Sequence, residues 1–172
     1  GEVTVTPAFY AAGAQYTVKA DARLYALFTR IGEGIGASES YTLHTGALTN
    51  GDYVITFDNM AMSTSKNSAN NKLYGTSVTP ANNLINSPDS SIVWKITVSG
   101  NTATIYNAAV GYVKCLTGDN TNIAFSSSAA SWNLGEGGRS FINQTYATRA
   151  LCYNQPSNYF GNYKIGAYDP NL

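Results

Sequence analysis

The amino-acid sequence predicts an all-β protein in which three similar units close into a pseudo-threefold barrel. Short runs rich in Thr, Val, Ile, Tyr and Phe alternate with Gly, Asn, Asp and Pro, which is the pattern of short strands joined by turns. The order of these runs repeats, because a four-strand stretch that ends at Trp94 is followed by another that ends at Trp132. Such internal repetition is typical of folds built from one supersecondary unit.

The second of the three units is the clearest copy. Its four predicted strands are centred on residues 104–107, 111–115, 123–125 and 132–134. The third unit repeats this order at offsets of 36 to 38 residues, in residues 140–143, 149–153, 159–161 and 168–169. The first unit comprises residues 53–55, 60–62, 73–75 and 93–96, and a polar insertion at 79–90 lengthens it. We therefore expect about a dozen short strands over residues 42–172.

Alternation along these strands predicts which side chains form the core. We expect burial of Val54, Ile55, Trp94, Ile96, Ile105, Val113, Phe125, Trp132, Leu134, Leu151 and Phe160. The two cysteines, Cys115 and Cys152, occupy neighbouring columns of the repeat, so alternation places them on opposite faces of their strands. Because a disulfide needs closely approaching Cβ atoms, we expect two free thiols.

The first 40 residues differ in character from the rest. Residues 16–28 read YTVKADARLYALF, which resembles the closing strands of the Listeria–Bacteroides (internalin-type) repeat, a small extracellular spacer module. The resemblance covers only the tail of that module, which implies an N-terminal β-hairpin segment. The glycine-rich residues 32–40 predict a linker. The predicted division is a repeat fragment at 1–31, a linker at 32–40 and the main domain at 41–172.

The main domain resembles domains appended to secreted or surface proteins of gut Bacteroidetes. The phrases that carry the resemblance are 51–55, 60–63, 94–96, 104–107 with 111–113, and 149–154 followed by Phe160 and Tyr163. The layout also resembles a β-trefoil, the fold of many lectin-type modules. These resemblances imply a secreted or cell-surface location. Sugar-binding ricin-type trefoils carry Gln-x-Trp in each unit, whereas here Ile92-Val93 and Ala130-Ser131 precede the two tryptophans.

The composition favours a neutral, hydroxyl-rich ligand. Charged residues make up 12% of the chain, and ten Lys and Arg balance ten Asp and Glu. Such a surface neither attracts nucleic acid nor binds anionic membranes, and no apolar run approaches the roughly 20 residues of a membrane span. We therefore expect no nucleic-acid partner and no membrane insertion. The 13 tyrosines and the many uncharged polar side chains suit sugars, although the same composition also serves simply to keep a secreted β-protein soluble.

The third unit contains the candidate ligand site. Tyrosine rings can stack on the C–H face of a pyranose, while amides and a guanidinium can bond its hydroxyls. The predicted ligand-binding residues are Arg149, Tyr153, Asn154, Tyr159, Asn162 and Tyr163. Packing is the alternative interpretation of the same cluster, because alternation makes Leu151 and Tyr153 inward neighbours.

Catalysis and metal binding find little support in the sequence. His44 is the sole histidine, and no partner for it can be placed, so no nucleophile–base pair can be assembled. Residues 119–122 supply oxygen ligands at alternating positions but lack the glycine and the closing glutamate of a calcium loop, which favours a turn. We expect no enzymatic activity, no cofactor and no metal.

Two classes of function stay open at this stage. The first is a non-catalytic extracellular accessory module that binds carbohydrate or glycan. The second is a structural or adhesion domain of a larger surface protein, with a host or matrix surface component as its partner. An enzyme is the outsider. In either class, we expect the chain to be an excised, monomeric piece of a larger protein.

Overall fold

The protein is all-β, as predicted. A computed structural model describes residues 27–31, 39–69, 71–115 and 120–168, and these form 14 strands in one hydrogen-bonded sheet. Every pair of neighbouring strands is antiparallel. Three single 3-10 turns, Ser90–Ile92, Glu136–Gly138 and Gln155–Ser157, interrupt the strands. Within the described ranges, no helix has the length and apolarity that a membrane span requires.

The strands are short, as the alternating sequence requires. In chain order they are β1 Leu27–Ile31, β2 Ser40–His44, β3 Gly51–Phe57, β4 Met60–Asn67, β5 Lys72–Ser77, β6 Leu84–Asn86, β7 Val93–Ser99, β8 Thr102–Asn107, β9 Gly111–Cys115, β10 Ile123–Ser126, β11 Ser131–Leu134, β12 Phe141–Ile142, β13 Arg149–Asn154 and β14 Tyr159–Lys164.

The strand pairings form a closed circuit. From β3 they run through β4, β5, β14, β13, β12, β11, β8 and β7 and return to β3. The hairpin of β9 and β10 extends from β8, while β1, β2 and β6 extend from β3. Each strand of the circuit therefore has a partner on both sides, which removes the exposed edges that promote aggregation.

The sheet contains three similar units. Unit 1 consists of β3, β4, β5 and β7, unit 2 of β8 to β11, and unit 3 of β12 to β14. In each unit the first strand pairs with the second, and the second pairs with the third as a hairpin. In units 1 and 2 the fourth strand pairs back with the first strand of its own unit and onward with the first strand of the next.

The two tryptophans occupy equivalent places, as the sequence predicts. Trp94 Nε1 donates to the carbonyl of Met62 at 2.8 Å, and Trp132 Nε1 donates to the carbonyl of Val113 at 2.9 Å. Met62 and Val113 hold corresponding positions on the second strands of their units, and both indoles are buried. Each indole therefore ties the fourth strand of its unit to the second.

One core serves all three units. Leu73, Ile123 and Phe160 hold corresponding positions on the third strands, are fully buried, and belong to the same apolar cluster as both tryptophans. Of the eleven residues predicted to be buried, ten are. Phe125 is the exception and is only partly buried. It lies on β10, at one end of the strand order, where Ile123 of the same strand is fully buried.

A second, smaller apolar cluster covers the other face of unit 1. It consists of Tyr41, Val54, Ala61, Ile85 and Ile92. The predicted insertion at 79–90 supplies β6, which pairs with β2 and brings Ile85 onto this cluster. The insertion thus packs against unit 1.

Strand β1 joins the region before the predicted linker to the main sheet. Its residues pair with β2 and, through Leu27, Phe28 and Thr29, with β3. The division at residues 31 and 40 stays a prediction, and most of segment 1–31 lies outside the described residues. Both thiols are free, as expected. Burial raises the pKa of Cys115 to about 12, against the opposing charge of Arg149.

The shared core predicts similar costs for truncation in the three units. Leu73→Ala, Ile123→Ala and Phe160→Ala should each lower the free energy of unfolding by about 2–5 kcal/mol, because each leaves a cavity in the same cluster. Urea denaturation followed by circular dichroism measures this. The control is Ile165→Ala, at a site 39% exposed, where the change should stay below about 1 kcal/mol. A core variant that loses no more unfolding free energy than the control would show that its unit does not share the common core.

Candidate functional site

The six predicted ligand-binding residues lie on one hairpin but differ in burial. Arg149, Tyr153 and Asn154 lie on β13, and Tyr159, Asn162 and Tyr163 lie on β14. Tyr153, Asn162 and Tyr163 are buried, with exposures of 5%, 0% and 4%. Only Arg149, Asn154 and Tyr159 are partly exposed. The structure therefore gathers the six residues on one element without placing them on one accessible surface.

Tyr153 is a core residue. Its ring packs against Phe57 and Phe160, with centroid distances of 5.5 and 4.7 Å. Its hydroxyl donates to Asn158 Oδ1 at 2.9 Å. Burial raises the pKa of Tyr153, and the carboxylate of Asp58 adds to that shift. These contacts match the packing interpretation of this residue.

Asn162 ties the hairpin to its neighbours, and Arg149 bonds within the hairpin. Asn162 Nδ2 donates to the carbonyl of Asn120 at 2.8 Å, and its Oδ1 accepts from Asn143 Nδ2 at 3.2 Å. Arg149 Nη1 donates to the backbone carbonyl of Asn162 at 3.0 Å. The Asn162 side chain has no exposed surface. Its two hydrogen bonds satisfy an amide that would otherwise be buried without partners.

Tyr163 packs below the surface. Its ring meets Tyr168 at a centroid distance of 4.6 Å, and its hydroxyl is buried without a hydrogen-bond partner among the described residues. Burial raises the pKa of Tyr163 to about 12, while the side chain of Asn154 opposes the shift. That amide donates to the Tyr168 hydroxyl at 3.1 Å.

Tyr159 belongs to an exposed aromatic surface that spans two units. It lies directly opposite Tyr74 across β14 and β5, with ring centroids 5.1 Å apart and planes at 49°. Asn67 Nδ2 donates to the Tyr74 hydroxyl at 3.0 Å and to the Tyr159 hydroxyl at 2.7 Å. Tyr74 is 37% exposed, which is unusual for a large side chain in the described structure. We call Asn67, Tyr74 and Tyr159 the tyrosine platform.

The platform is held in place by further hydrogen bonds. Asn67 Oδ1 accepts from the backbone N–H of Ala69 at 2.9 Å, which fixes the orientation of the amide that donates to both phenols. The neighbouring Tyr159 hydroxyl raises the pKa of Tyr74, and the Asn67 amide opposes that shift. A ligand would therefore meet two rings in a defined orientation.

Sequence reasoning found Tyr159 and missed its two partners. Asn67 is 92 positions from Tyr159 in the chain, and only the pairing of β5 with β14 brings them together. One signal was available in the alternation of β5. Because Leu73 faces the core, its neighbour Tyr74 must lie on the opposite face.

A second tyrosine pair lies beside a groove. Tyr106 and Tyr112 are opposite each other on β8 and β9, with ring centroids 4.8 Å apart, planes at 53° and partial exposure. The groove has a volume of about 370 Å³, and its lining includes Tyr106, Lys95 and Asp52. Lys95 lies opposite Asp52 on one side and Tyr106 on the other, so the three form a row across β3, β7 and β8.

The remaining polar candidates have local roles. His44 Nε2 lies 3.0 Å from the carbonyl of Ala47, and its ring meets the edge of Tyr53. Asn120 Oδ1 accepts from the backbone N–H of Asn122 at 2.9 Å, as the turn interpretation predicts, while Asp119 lies outside the described residues. Over the same described ranges, no three His, Cys, Asp or Glu side chains are grouped as metal ligands.

Comparison of the chain with protein-family models, with curated proteins and with solved structures finds no match.

The unpaired hydroxyl of Tyr163 gives a testable difference between two variants. Tyr163→Phe should leave the free energy of unfolding unchanged or raise it, because it removes a buried hydroxyl that lacks a partner. Tyr163→Ala should lower it by about 3–5 kcal/mol through the cavity left behind. Urea denaturation of the two variants compares them. A loss above about 1 kcal/mol in the Phe variant would mean that the hydroxyl has a stabilising partner.

The same residue predicts a dependence on alkaline pH. The pKa of Tyr163 is raised from 10.0 to about 12 in the folded protein, so the folded state holds the phenol proton more tightly than the unfolded chain. Its contribution to stability is full below pH 10 and is lost as pH rises through 12. Over that window, the free energy of unfolding should fall less steeply in Tyr163→Phe than in the parent protein.

Proposed function

We propose that the 14-stranded sheet forms a β-trefoil-like pseudo-threefold barrel. Three features support this fold. The pairings return to their starting strand, each unit carries a hairpin formed by its second and third strands, and two units place a tryptophan at the same point. In a barrel of this kind, the first and fourth strands would form the wall, and the three hairpins would cover one end.

We further propose that the chain is a non-catalytic extracellular accessory module that binds neutral glycan through the tyrosine platform. The observation that carries this proposal is the side-by-side placement of Tyr74 and Tyr159, with one amide donating to both hydroxyls. Aromatic faces beside a few fixed polar groups are the usual design of a small-ligand site. A chain with few charged residues and no net formal charge suits a ligand that carries hydroxyls and no charge.

The platform favours stacking of a pyranose ring. The C–H face of the sugar would lie on the exposed ring of Tyr74, and its hydroxyls would meet the polar edge formed by the two phenols and Asn67. Because Asn67 already fixes both rings, binding would cost little side-chain entropy. Of the six residues predicted from the sequence, Tyr159 would contact the ligand directly. Asn162 and Tyr163 would act indirectly, by fixing β14.

The expected affinity is low. Stacking and two or three net hydrogen bonds of about 0.5–1.5 kcal/mol each correspond to dissociation constants in the micromolar to millimolar range. Such binding suits a monomeric module that adds to the affinity of a larger secreted or cell-surface protein for a glycan-bearing host or matrix component. Neither a metal nor a cofactor has a part in this mode of binding.

An adhesion or structural role is the second candidate. Exposed tyrosine is enriched at protein interfaces, and Tyr74 with Ile165 provides exposed apolar surface. In this role the platform would contact a protein surface rather than a sugar.

The test of glycan binding compares two tyrosine pairs of similar geometry. Host and plant glycans are screened on an array, and the hits are titrated by calorimetry. Tyr74→Ala should weaken binding at least tenfold and leave the melting temperature nearly unchanged, because the Tyr74 ring is exposed. Tyr112→Ala, in the other pair, is the matched control and should bind like the parent. Chelator should have no effect.

Three outcomes would contradict the proposal. A folded parent protein that binds no glycan would favour the adhesion role. Loss of binding in Tyr112→Ala with full binding in Tyr74→Ala would move the site to the groove beside Tyr106. Loss of binding upon chelation would replace stacking with a metal-dependent mode.

A further inference from the structure

Strand β1 pairs with β3 in the same register in which β7 pairs with β8 and β11 pairs with β12. Leu27 of β1 lies opposite Ile55 of β3. Ile96 of β7 lies opposite Ile105 of β8, and Leu134 of β11 lies opposite Phe141 of β12. In the two latter pairs, the fourth strand of one unit meets the first strand of the next. All three pairs are antiparallel.

Ile55, Ile105 and Phe141 hold corresponding positions on the first strands of units 1, 2 and 3. Tyr53 faces Trp94 and Ala103 faces Trp132, which makes Ile55 the counterpart of Ile105. In unit 3, Ile142 lies opposite Ala150 as Tyr106 lies opposite Tyr112 in unit 2. Phe141, one residue before Ile142, therefore corresponds to Ile105, one residue before Tyr106. Ile55, Ile105 and Phe141 are all fully buried in the common core. None of the pairings that establish this correspondence involves β1.

Unit 3 has no fourth strand among the described residues after β14. Around the circuit, its fourth strand would pair with β3 as β7 pairs with β8 and β11 with β12. That place on β3 is taken by β1, with the expected direction and the expected register. On its other side β1 pairs with β2 rather than with β12, so it reproduces the onward pairing of a fourth strand and not the pairing back. We propose that Leu27–Ile31 is the fourth strand of unit 3, supplied from the other end of the chain. The domain boundary then falls before Leu27 rather than at residue 41.

The sequence carries the same spacing in the three segments. An aromatic residue stands two positions before the aliphatic one in Trp94-Lys95-Ile96, in Trp132-Asn133-Leu134 and in Tyr25-Ala26-Leu27. Residues 25 and 26 lie outside the described ranges, so this likeness is one of sequence alone. In this alignment, Tyr25 stands where units 1 and 2 have tryptophan.

This inference makes β3 the acceptor for a strand from the N-terminal region of the same chain. Residues 41–172 alone would leave Tyr53, Val54 and Ile55 without their partners on β1, and an uncovered strand invites pairing with other chains. Closure of the fold by β1 is independent of glycan binding.

Hydrogen exchange of the full chain tests it without any substitution. If β1 completes unit 3, the amides of 27–31 that pair with β3 should open together with those of β7 and β11, with protection within about tenfold of theirs. Low concentrations of urea should accelerate exchange in all three strands equally. Amides of 27–31 that exchange more than about 100-fold faster, while β7 and β11 stay protected, would overturn the proposal and favour a separate N-terminal segment.

A set of proline variants gives an independent readout. Thr29 lies opposite Tyr53, in the position that Val98 holds opposite Ala103. Because proline removes a backbone donor and is excluded from strand interiors, Thr29→Pro and Val98→Pro should lower the melting temperature to a similar extent or prevent folding. Ala129→Pro, in the exposed loop between β10 and β11, is the control and should change the melting temperature little. A Thr29→Pro variant that melts like the control would overturn the assignment.

Discussion

The hydrogen bond from a buried indole to a backbone carbonyl organises this fold. An indole N–H enclosed by apolar side chains must find an acceptor, because an unpaired buried donor costs about 1–3 kcal/mol. Trp94 finds it at Met62 and Trp132 at Val113. In each case the bond fixes how the last strand of a unit sits over its second strand. The large ring simultaneously fills the centre of the core shared with the other units.

The proposed platform depends on the same closure. Tyr74 belongs to unit 1 and Tyr159 to unit 3, so the two rings become neighbours only when β5 pairs with β14 and the circuit closes. Asn67 then holds both phenols from the end of β4. A surface assembled from distant parts of the chain reports on the integrity of the whole sheet. Loss of core packing would therefore be expected to weaken binding as well as stability.

Much of the fold could be predicted because its signals are local. The repeat of Trp94 at Trp132, the strand alternation and the turn residues together predicted most of the strands and ten of eleven buried positions. The strand predicted at 168–169 as the last of unit 3 was wrong, because Tyr168 forms only an isolated bridge with Ile165, and Asp169 lies outside the described residues. The site was harder to predict because β14 is buried on both faces. Phe160 faces the main core, whereas Tyr163 packs with Ala150 and Cys152 in a separate cluster. Alternation assigns the side chains of a strand to two faces. It does not reveal that both faces are buried when each packs against its own apolar cluster.

Cooperative unfolding tests most directly the claim that three units close around one core. Trp94→Phe and Trp132→Phe each leave a single tryptophan, which reports on unit 2 and unit 1 respectively. Urea unfolding is followed by the fluorescence of that tryptophan and by circular dichroism of the whole sheet. One core predicts a single transition with the same midpoint for both probes in each variant. Midpoints that differ between the tryptophan and the sheet by more than about 0.5 M urea would show units that unfold separately and would contradict the account.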